Sequence, residues 1–464
     1  MCNSPLFTKK QIYKILFPLV FQNILAICIS LADTIMVSSV SESALAGVSL
    51  IASIDNLLIA VMSAVTAGGV VVMSQSMGVK DRKSSCEIAK QVFWLIAILT
   101  TVVSVTILVF RKPLLYSLFG DTEESVMQNA LDYFVYIAIS FPFYGISVGV
   151  DAMFHAQGES MISLKNSLFK NVLNISGNAI FIFVFKMGAS GAAIATLISR
   201  VVGAVVIVIL GHNKNRFIFL EKLLRYRPNK RAIKAILRIG IPNGIERGLF
   251  QFGKLVTTSL VSSFSVAGIA ANAAAATIAN FQYQAGGAVQ STMVTVVGRC
   301  VGARDEKQTK SYSRYLLGVG YVIVSSVAIV ICLGAPIFLS FFSLSEDAMD
   351  IGKKMLIYHS IVSIAIWTVA FCLPSCFRAA NDVNFTMVVS IFSMWVFRVA
   401  LAYVFAKTEV SIFGLFTISG LGLGVFGIWV AMTIDWVFRA SLFIWRYLSG
   451  RWLKKSKLYD NSNL

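Results

Sequence analysis

The hydrophobic positions of this chain fall into long runs separated by short polar segments. Twelve runs are long enough to cross a bilayer as helices, since about 20 mostly apolar residues span its hydrocarbon core. The pattern therefore predicts an all-α integral membrane protein with twelve transmembrane helices. The predicted spans are residues 13–38, 50–75, 92–110, 130–154, 163–185, 189–211, 236–263, 273–297, 315–342, 355–377, 385–406 and 424–448.

A short sequence motif occurs twice along the chain. Residues 73–83 read MSQSMGVKDRK and residues 297–307 read VGRCVGARDEK, and the shared Gly, Asp and Lys positions recur at one constant offset. Pro18 and Pro242 have the same separation, and each lies early in an apolar run where a proline can bend a helix. We interpret the chain as a duplication. We expect each glycine of the motif to end its helix in the left-handed conformation.

Positive charges lie in alternate connections. Of the 40 Lys and Arg residues, 29 lie in or near the two terminal segments and the even-numbered connections, with Lys165 and Lys170 assigned to the fourth connection, whereas the odd connections hold acidic clusters such as 121–124 and 345–350. The positive-inside rule then predicts that both termini are cytoplasmic, in the cytoplasmic (inner) membrane of a cell. The net charge of +18 is accounted for by topology, and we expect no nucleic-acid partner.

The same topology predicts the domain organisation. Six spans in each half insert both halves in the same direction, so we expect two six-helix lobes related by a pseudo-twofold axis along the membrane normal. Residues 1–211 form the predicted N-terminal lobe and residues 236–464 the C-terminal lobe with a short basic tail. The basic interlobe linker, 212–235, is expected to be cytoplasmic and to act as the hinge.

Composition supports a membrane protein and excludes several other classes. The chain is 57% hydrophobic and only 13% charged, with a mean hydropathy of +0.78, whereas a soluble protein carries about 25% charged residues. We see no cleavable signal peptide. The seven cysteines are scattered, and we expect no disulfide and no metal site. No phosphate-binding loop, metalloprotease motif, nucleophile elbow or potassium-filter loop occurs, so neither an enzyme, nor an ATP-driven pump, nor a channel is indicated.

The first half contains the candidate ion-coupling site. A charge inside a span costs about 2.5–3.5 kcal/mol on insertion scales, so Asp33 within the first span needs a cavity or a partner. Its carboxylate could bind a proton, a sodium ion or an organic cation. Asn174, Asn178 and Thr196 could join it, because amide and hydroxyl oxygens suit a small hard cation. Simple packing contacts between helices are the alternative for all four residues.

The second half does not repeat the carboxylate, because the position that corresponds to Asp33 at the offset of the duplication is Thr257. Glu246 and Lys254 in the seventh span could line one cavity, although surface pairing also explains Glu246. The eighth span is polar enough to be a cavity wall, with Gln282 and Gln284 as candidates. The remaining intramembrane groups are interpreted as a helix-tethering charge cluster, a structural histidine and an interfacial carboxylate: Arg398, Asp435, Arg439, His359 and Asp55.

Taken together, these features resemble the multidrug and toxic compound extrusion (MATE) family. The resemblance rests on two sets of six spans, the early prolines, Asp33, the segment ALAGVSL (44–50) and the repeated motif. It implies two lobes around a central cavity, a first helix that bends at Pro18, and a first-lobe ion site to which Asp33, Asn174 and Thr196 correspond. Asn178 departs from the family pattern, which has Asp there. A second-lobe sodium site is not carried over.

The functional hypothesis is a secondary active antiporter, not an enzyme, that exports organic, often cationic, compounds in exchange for H⁺ or Na⁺. It would need no cofactor besides the coupling ion, and its partners would be small-molecule drugs or metabolites and the bilayer. We expect a monomer. The alternative is a flippase for lipids or lipid-linked oligosaccharides of the same superfamily, which Lys254 and Arg398 favour. A membrane-embedded enzyme lacks a nucleophile–base pair.

Overall fold

The computed structural model describes residues 5–120, 122–221, 223, 225–412 and 416–457. Helices form at every predicted span. The α-helices are α1 Lys9–Ser38, α2 Glu42–Gly78, α3 Arg82–Phe119, α4 Glu124–Gln157, α5 Ser160–Asn178, α6 Gly188–Gly211, α7 Lys230–Val261, α8 Val266–Gly302, α9 Glu306–Ser340, α10 Glu346–Val362, α11 Thr368–Phe371, α12 Pro374–Ala379, α13 Val383–Ser393, α14 Leu401–Ala406, α15 Val425–Leu448 and α16 Arg451–Lys457.

Three π-helical segments lie inside the predicted spans. Ala179–Val184 extends α5, Ser363–Trp367 joins α10 to α11, and Met394–Ala400 joins α13 to α14. A short antiparallel hairpin, β1 Glu409–Ile412 and β2 Phe416–Ser419, is the one sheet in the part of the chain that the structure describes. The all-α prediction is therefore confirmed for the spans, and the hairpin lies in the connection between the last two of them.

Within the described residues, ten helical segments are long and apolar enough to cross a membrane. The two predicted spans outside this set are α7 and α8. Helix α7 carries charged residues along its length, and α8 is rich in Ala, Asn, Gln and Gly, which lowers its hydropathy. Both are as long as their neighbours, with 32 and 37 residues. A twelve-helix architecture thus includes two helices that bring polar groups into the bilayer.

The duplicated motif adopts the same local structure in both copies. Helices α2 and α8 have equal lengths of 37 residues, and their first and last residues are separated by the offset of the motif itself. The next helix begins after Asp81 in one copy and after Asp305 in the other. Asp81 accepts a hydrogen bond from the Ser84 N–H at 2.9 Å, and Asp305 accepts one from the Gln308 N–H at 2.9 Å. The repeated Asp is therefore a helix N-cap.

The expectation for the repeated glycine is wrong. Gly78 and Gly302 are the last helical residues, and neither has a positive φ. The left-handed conformation falls two residues later, at Lys80 (φ 63°) and Arg304 (φ 56°). The chain therefore reverses between two helices within a few residues, and the turn ends at the N-cap Asp that follows.

The chain divides into two compact units, with the boundary inside α7. Phe7–Gly244 forms the N-terminal unit, and the described residues from Ile245 onward form the C-terminal unit together with Pro5 and Leu6. In the N-terminal unit, α4 packs closely with α2, α3 and α6, and a cluster around Phe134 and Phe141 is fully buried. A side chain at Gly68 would overlap the Ile236 carbonyl oxygen, so glycine permits the close contact of α2 with the start of α7.

The linker is attached to the N-terminal unit. Arg82 of α3 donates to the carbonyl oxygens of Lys214 and Arg216 at 2.6 and 2.9 Å. Trp94 donates to the Leu223 carbonyl oxygen at 3.0 Å. The segment 212–235, which is expected to be the hinge, is therefore held to the N-terminal unit by these bonds. Its last residues belong to α7, which begins at Lys230.

The helix bends predicted at the two early prolines stay predictions. Helix α1 continues through Pro18 and α7 continues through Pro242, so neither proline ends its helix. Each proline lacks the N–H that would bond to the preceding turn, so each helix loses one backbone hydrogen bond at that position.

Candidate functional site

The predicted ion-coupling residues meet in the N-terminal unit as two hydrogen-bonded pairs. Asn178 Nδ2 of α5 donates to Asp33 Oδ1 of α1 at 2.6 Å. One helical turn earlier, Asn174 Nδ2 donates to Thr196 Oγ1 of α6 at 3.1 Å. Asn174 and Asn178 lie on the same face of α5, so the two pairs are adjacent. The site draws on three helices, which no local sequence pattern could have brought together.

This site has spare hydrogen-bond acceptors. The Oδ1 atoms of Asn174 and Asn178 are buried and have no hydrogen-bond partner in the described part of the chain. Asp33 itself is only partly buried, so its carboxylate is reachable. An anionic oxygen beside two unused amide oxygens matches the ligands of a small hard cation. The same oxygens can accept a hydrogen bond from Asp33 once its carboxyl group is protonated.

A second charged cluster, which sequence reasoning missed, lies nearby on α6. Arg200 forms a salt bridge with Asp55 of α2, with 3.1 Å between Nη2 and Oδ2. It also donates to Ser140 Oγ at 2.9 Å, and its guanidinium lies 4.8 Å from the centre of the Tyr144 ring. Asp55, interpreted from sequence as interfacial, is instead an internal ion-pair partner with a side chain only 20% exposed.

Arg200 links this cluster to the ion-coupling site electrostatically. Its positive charge attracts the Asp33 carboxylate, and Tyr133 of α4 is close enough to interact with both Asp33 and Asp55 as well as with Arg200. The signal that could have identified Arg200 was its position in the middle of an otherwise apolar span.

Lys170 was assigned from sequence to the fourth connection, and this is wrong. It lies within α5, where its Nζ donates to Ser147 Oγ of α4 at 3.3 Å. The buried Asp151, one turn further along α4, attracts it electrostatically. The N-terminal unit thus contains other polar contacts between helices besides the ion-coupling site.

The second-half candidates are not one cluster. Glu246 of α7 is buried and forms a salt bridge with Arg378 of α12, with 2.8 Å between the charged atoms. The pairing expected for Glu246 is therefore present, but it is buried. Lys254 is two turns away on the same helix and forms no ion pair within the described residues.

Two of the three residues expected to tether helices, Asp435 and Arg439, bond to α13. The close pair is Arg439 with Asp435, with 2.7 Å between Nε and Oδ1, and both residues belong to α15. Asp435 Oδ1 also bonds to the Ser393 hydroxyl of α13, and Arg439 Nη2 donates to the Ser390 carbonyl oxygen of the same helix at 3.0 Å. Arg398 is further away, with 3.9 Å between Nη1 and Asp435 Oδ2.

The eighth-span candidates differ in burial. Gln282 is fully buried, and neither amide atom has a hydrogen-bond partner among the described residues. Gln284 is partly buried. Between them Tyr283 bonds to His359 Nε2 at 2.8 Å, and His359 also packs edge-on against Trp429 and other rings. The histidine therefore has a structural environment, as expected.

Comparisons with known proteins agree with this architecture. The family model MatE matches residues 18–180 and 242–404, two segments related by the offset of the repeated motif. The chain is 24% identical to a "Probable multidrug resistance protein NorM" of Thermotoga maritima over 456 residues, covering 97% of this chain and 94% of that protein. It is 23% identical to "Uncharacterized transporter YisQ" of Bacillus subtilis, covering 96% of this chain and 95% of that protein.

Two solved structures have the same fold. One, described as an outward-facing multidrug resistance MATE family transporter, has a TM-score of 0.86 at 21% identity and covers 96% of this chain and 97% of its own. The other is a transporter from Pyrococcus furiosus, for which a reversed polarity of the binding pocket is said to suggest a different function. It also has a TM-score of 0.86 at 21% identity, and covers 96% of both chains.

Proposed function

Since this chain belongs to the MATE family of membrane transporters, we propose that it is a secondary active multidrug antiporter. It exports organic, often cationic, compounds in exchange for protons or sodium ions. It lies in the cytoplasmic membrane with both termini in the cytoplasm. The names of its relatives, several of which are called probable multidrug resistance proteins, support this cargo class.

The observation that carries the coupling proposal is the Asp33 site. Asp33 has one strong donor, Asn178 Nδ2, while the two Oδ1 atoms of Asn174 and Asn178 have no partner among the described residues. A sodium ion would find the carboxylate and both amide oxygens. A proton would convert Asp33 to a donor that these oxygens accept. Either ion therefore has a ligand set in place without a second carboxylate.

Coupling follows if the ion and the cargo favour different states of the protein, or compete for Asp33. An ion bound at Asp33 removes the negative charge that would attract a cationic cargo, and so promotes cargo release on the side where the ion enters. Loss of the ion on the other side restores the charge and the affinity for new cargo. Arg200 limits how strongly Asp33 can hold any cation, because it repels one.

The test is ethidium transport by purified protein in proteoliposomes, with a pH gradient or a sodium gradient imposed separately. Wild type should move ethidium under at least one gradient, and Asp33→Asn should lose gradient-driven transport because it can neither bind a proton nor supply a negative charge. Asp350→Asn, the same change at an exposed carboxylate of α10, is the matched control and should transport normally. Gradient-driven transport by Asp33→Asn equal to that of wild type would refute the assignment.

The flippase alternative is favoured by one observation, the positive charge of Lys254 and Arg398 inside the C-terminal unit. An anionic lipid headgroup would be attracted there. The discriminating measurement is transbilayer movement of a fluorescent anionic lipid in the same proteoliposomes. Lipid movement without ethidium transport would replace the antiporter proposal.

A further inference from the structure

Helix α5 has a polar face that lies inside the N-terminal unit. Four residues at intervals of four positions share this slowly turning face: Asn166, Lys170, Asn174 and Asn178. The three asparagines are buried, and in each of them the Oδ1 atom has no hydrogen-bond partner among the described residues. Unused amide oxygens therefore lie on both sides of Lys170 along the helix. Only those on one side belong to the ion-coupling site.

On the other side of Lys170, Asp151 of α4 is the nearby carboxylate. The bond from Lys170 Nζ to Ser147 Oγ at 3.3 Å fixes the register of α4 against α5, because a two-residue turn joins these helices. The same register places Asn166 level with Asp151, since each lies one helical turn closer to that turn. Asp151 is 9% exposed, its Oδ1 has no hydrogen-bond partner, and it forms no ion pair within the part of the chain that the structure describes.

Asn166 can serve either protonation state of Asp151. Neither atom of its side-chain amide has a hydrogen-bond partner among the described residues. The Nδ2 atom can donate to an ionised carboxylate, and Oδ1 can accept from a protonated one. Asn178 offers the same choice to Asp33, because its Nδ2 donates to the carboxylate while its Oδ1 stays unused. Helix α5 thus has an amide for each of two carboxylates, with Lys170 between them.

The charges of this region do not balance without a proton. Five charged side chains interact with one another: Asp33, Asp55, Asp151, Lys170 and Arg200. Arg200 is paired with Asp55 at 3.1 Å, which leaves the single positive charge of Lys170 for two carboxylates. An uncompensated charge inside a membrane protein is costly. One proton removes the surplus negative charge, whichever of Asp33 and Asp151 carries it.

The other helices packed against α4 do not change this count. Helices α2 and α3 contain no charged residue at positions 56–78 and 91–110, and the one charged residue of α6 is already included. Tyr144 interacts with Asp151 but is uncharged near neutral pH. His155, one turn further along α4, also interacts with Asp151 and is a second group that could hold the proton. It therefore needs a variant of its own.

We propose that Asp151 is a second proton-binding site, which loses its proton when a cationic cargo binds at Asp33. This inference rests on the proposed function and deepens it for exchange against protons. Before cargo binds, one proton and Lys170 together balance the two carboxylates. A cargo cation at Asp33 supplies a positive charge in a medium of low dielectric constant, so the proton is no longer needed. The O–H bond of Asp151 then breaks, the carboxylate keeps the electron pair, and the proton passes to water near the turn between α4 and α5.

Proton and cargo would thus exclude each other through charge without sharing one carboxylate. The test is proton release on ethidium binding by the full-length protein, in weakly buffered, sodium-free detergent solution near neutral pH, followed with an indicator dye. Wild type should release about one proton per ethidium bound. Asp151→Asn leaves Asp33 balanced by Lys170, so binding should release almost none. Asp151→Asn/Lys170→Gln leaves Asp33 alone and should regain a release of about one proton.

The controls separate Asp151 from its neighbours. Asp132→Asn, the same change at an exposed carboxylate of α4, should release protons as wild type does. His155→Gln should also match wild type, and a loss of release there would assign the proton to His155 and overturn the inference. Release by Asp151→Asn equal to that of wild type would overturn it too, since the proton would then come from Asp33. Asp151→Ser should behave as Asp151→Asn does and replaces it if that variant does not fold.

The outcome for the proposed function is distinguishable, because binding needs no gradient. Gradient-driven ethidium transport by wild type without proton release on binding removes this inference alone. Proton release on binding without gradient-driven transport removes the proposed function. Absence of ethidium binding removes the proposed cargo class, and this inference with it.

Discussion

The pairing of Arg200 with Asp55 allows a quantitative prediction about the N-terminal unit. Arg200→Gln removes the salt bridge at 3.1 Å, the hydrogen bond to Ser140 at 2.9 Å and the contact with the Tyr144 ring. It leaves Asp55 as an unpaired carboxylate inside a membrane protein, and one of its oxygens, Oδ1, is already buried without a hydrogen-bond partner among the described residues.

The expected cost follows from burial. Removing one partner of a buried pair costs about 3–5 kcal/mol. The side chains are 15% and 20% exposed, so residual solvation places the loss near the lower end, at about 3 kcal/mol. In Arg200→Gln/Asp55→Asn no charge is left unpaired, and the two amides can bond to each other. The double variant should therefore regain about 2 kcal/mol relative to the sum of the single variants.

The assay is equilibrium unfolding by sodium dodecyl sulfate in mixed micelles, followed by far-ultraviolet circular dichroism. Tryptophan emission is a poor probe of this unit, because Trp94 is the only one of the seven tryptophans before Gly244. Arg111→Gln, which loses only a weak contact to its own helix at 3.4 Å, is the control and should be nearly neutral. If the double variant loses as much free energy of unfolding as the two single variants added together, the two charges are not coupled and the prediction is refuted.

Two further predictions concern packing and caps. Gly286→Ala should destabilise the protein by about 1–3 kcal/mol, because its new methyl group would overlap the Trp367 ring. Gly318 has no atom within 4 Å of an added Cβ, so Gly318→Ala should be neutral or stabilising by up to about 1 kcal/mol. Asp81→Ala should cost about 1 kcal/mol through loss of the N-cap, and Asp305→Ala more, since Asp305 Oδ2 also accepts from Gln308 Nε2 at 3.0 Å. The free energy of unfolding in mixed micelles checks all four variants. A stable Gly286→Ala, or a loss in Asp81→Asn equal to that in Asp81→Ala, would contradict these accounts.

Several features could be predicted from local sequence because they depend on neighbours in the chain. The apolar runs are long enough to require helices, and helices formed at each of them. The repeated Asp was found by its spacing, although the turn beside it was attributed to the preceding glycine and the N-cap was missed. Asp33 stood out because a lone carboxylate in an apolar run is rarely without a partner.

What the sequence alone determined is therefore the position and order of the spans, the duplication with its constant offset, and the types of polar group inside the spans. Tertiary structure alone decided which of those groups meet. Asn178 bonds to Asp33 across 145 positions, and Arg200 bonds to Asp55 across another 145. Such pairs are set by the rotation and packing of whole helices, to which each residue contributes only a small part, so no short stretch of sequence encodes them. The packing of whole helices also explains why Glu246 pairs with Arg378, whereas Lys254, two turns further along α7, has no carboxylate partner among the described residues.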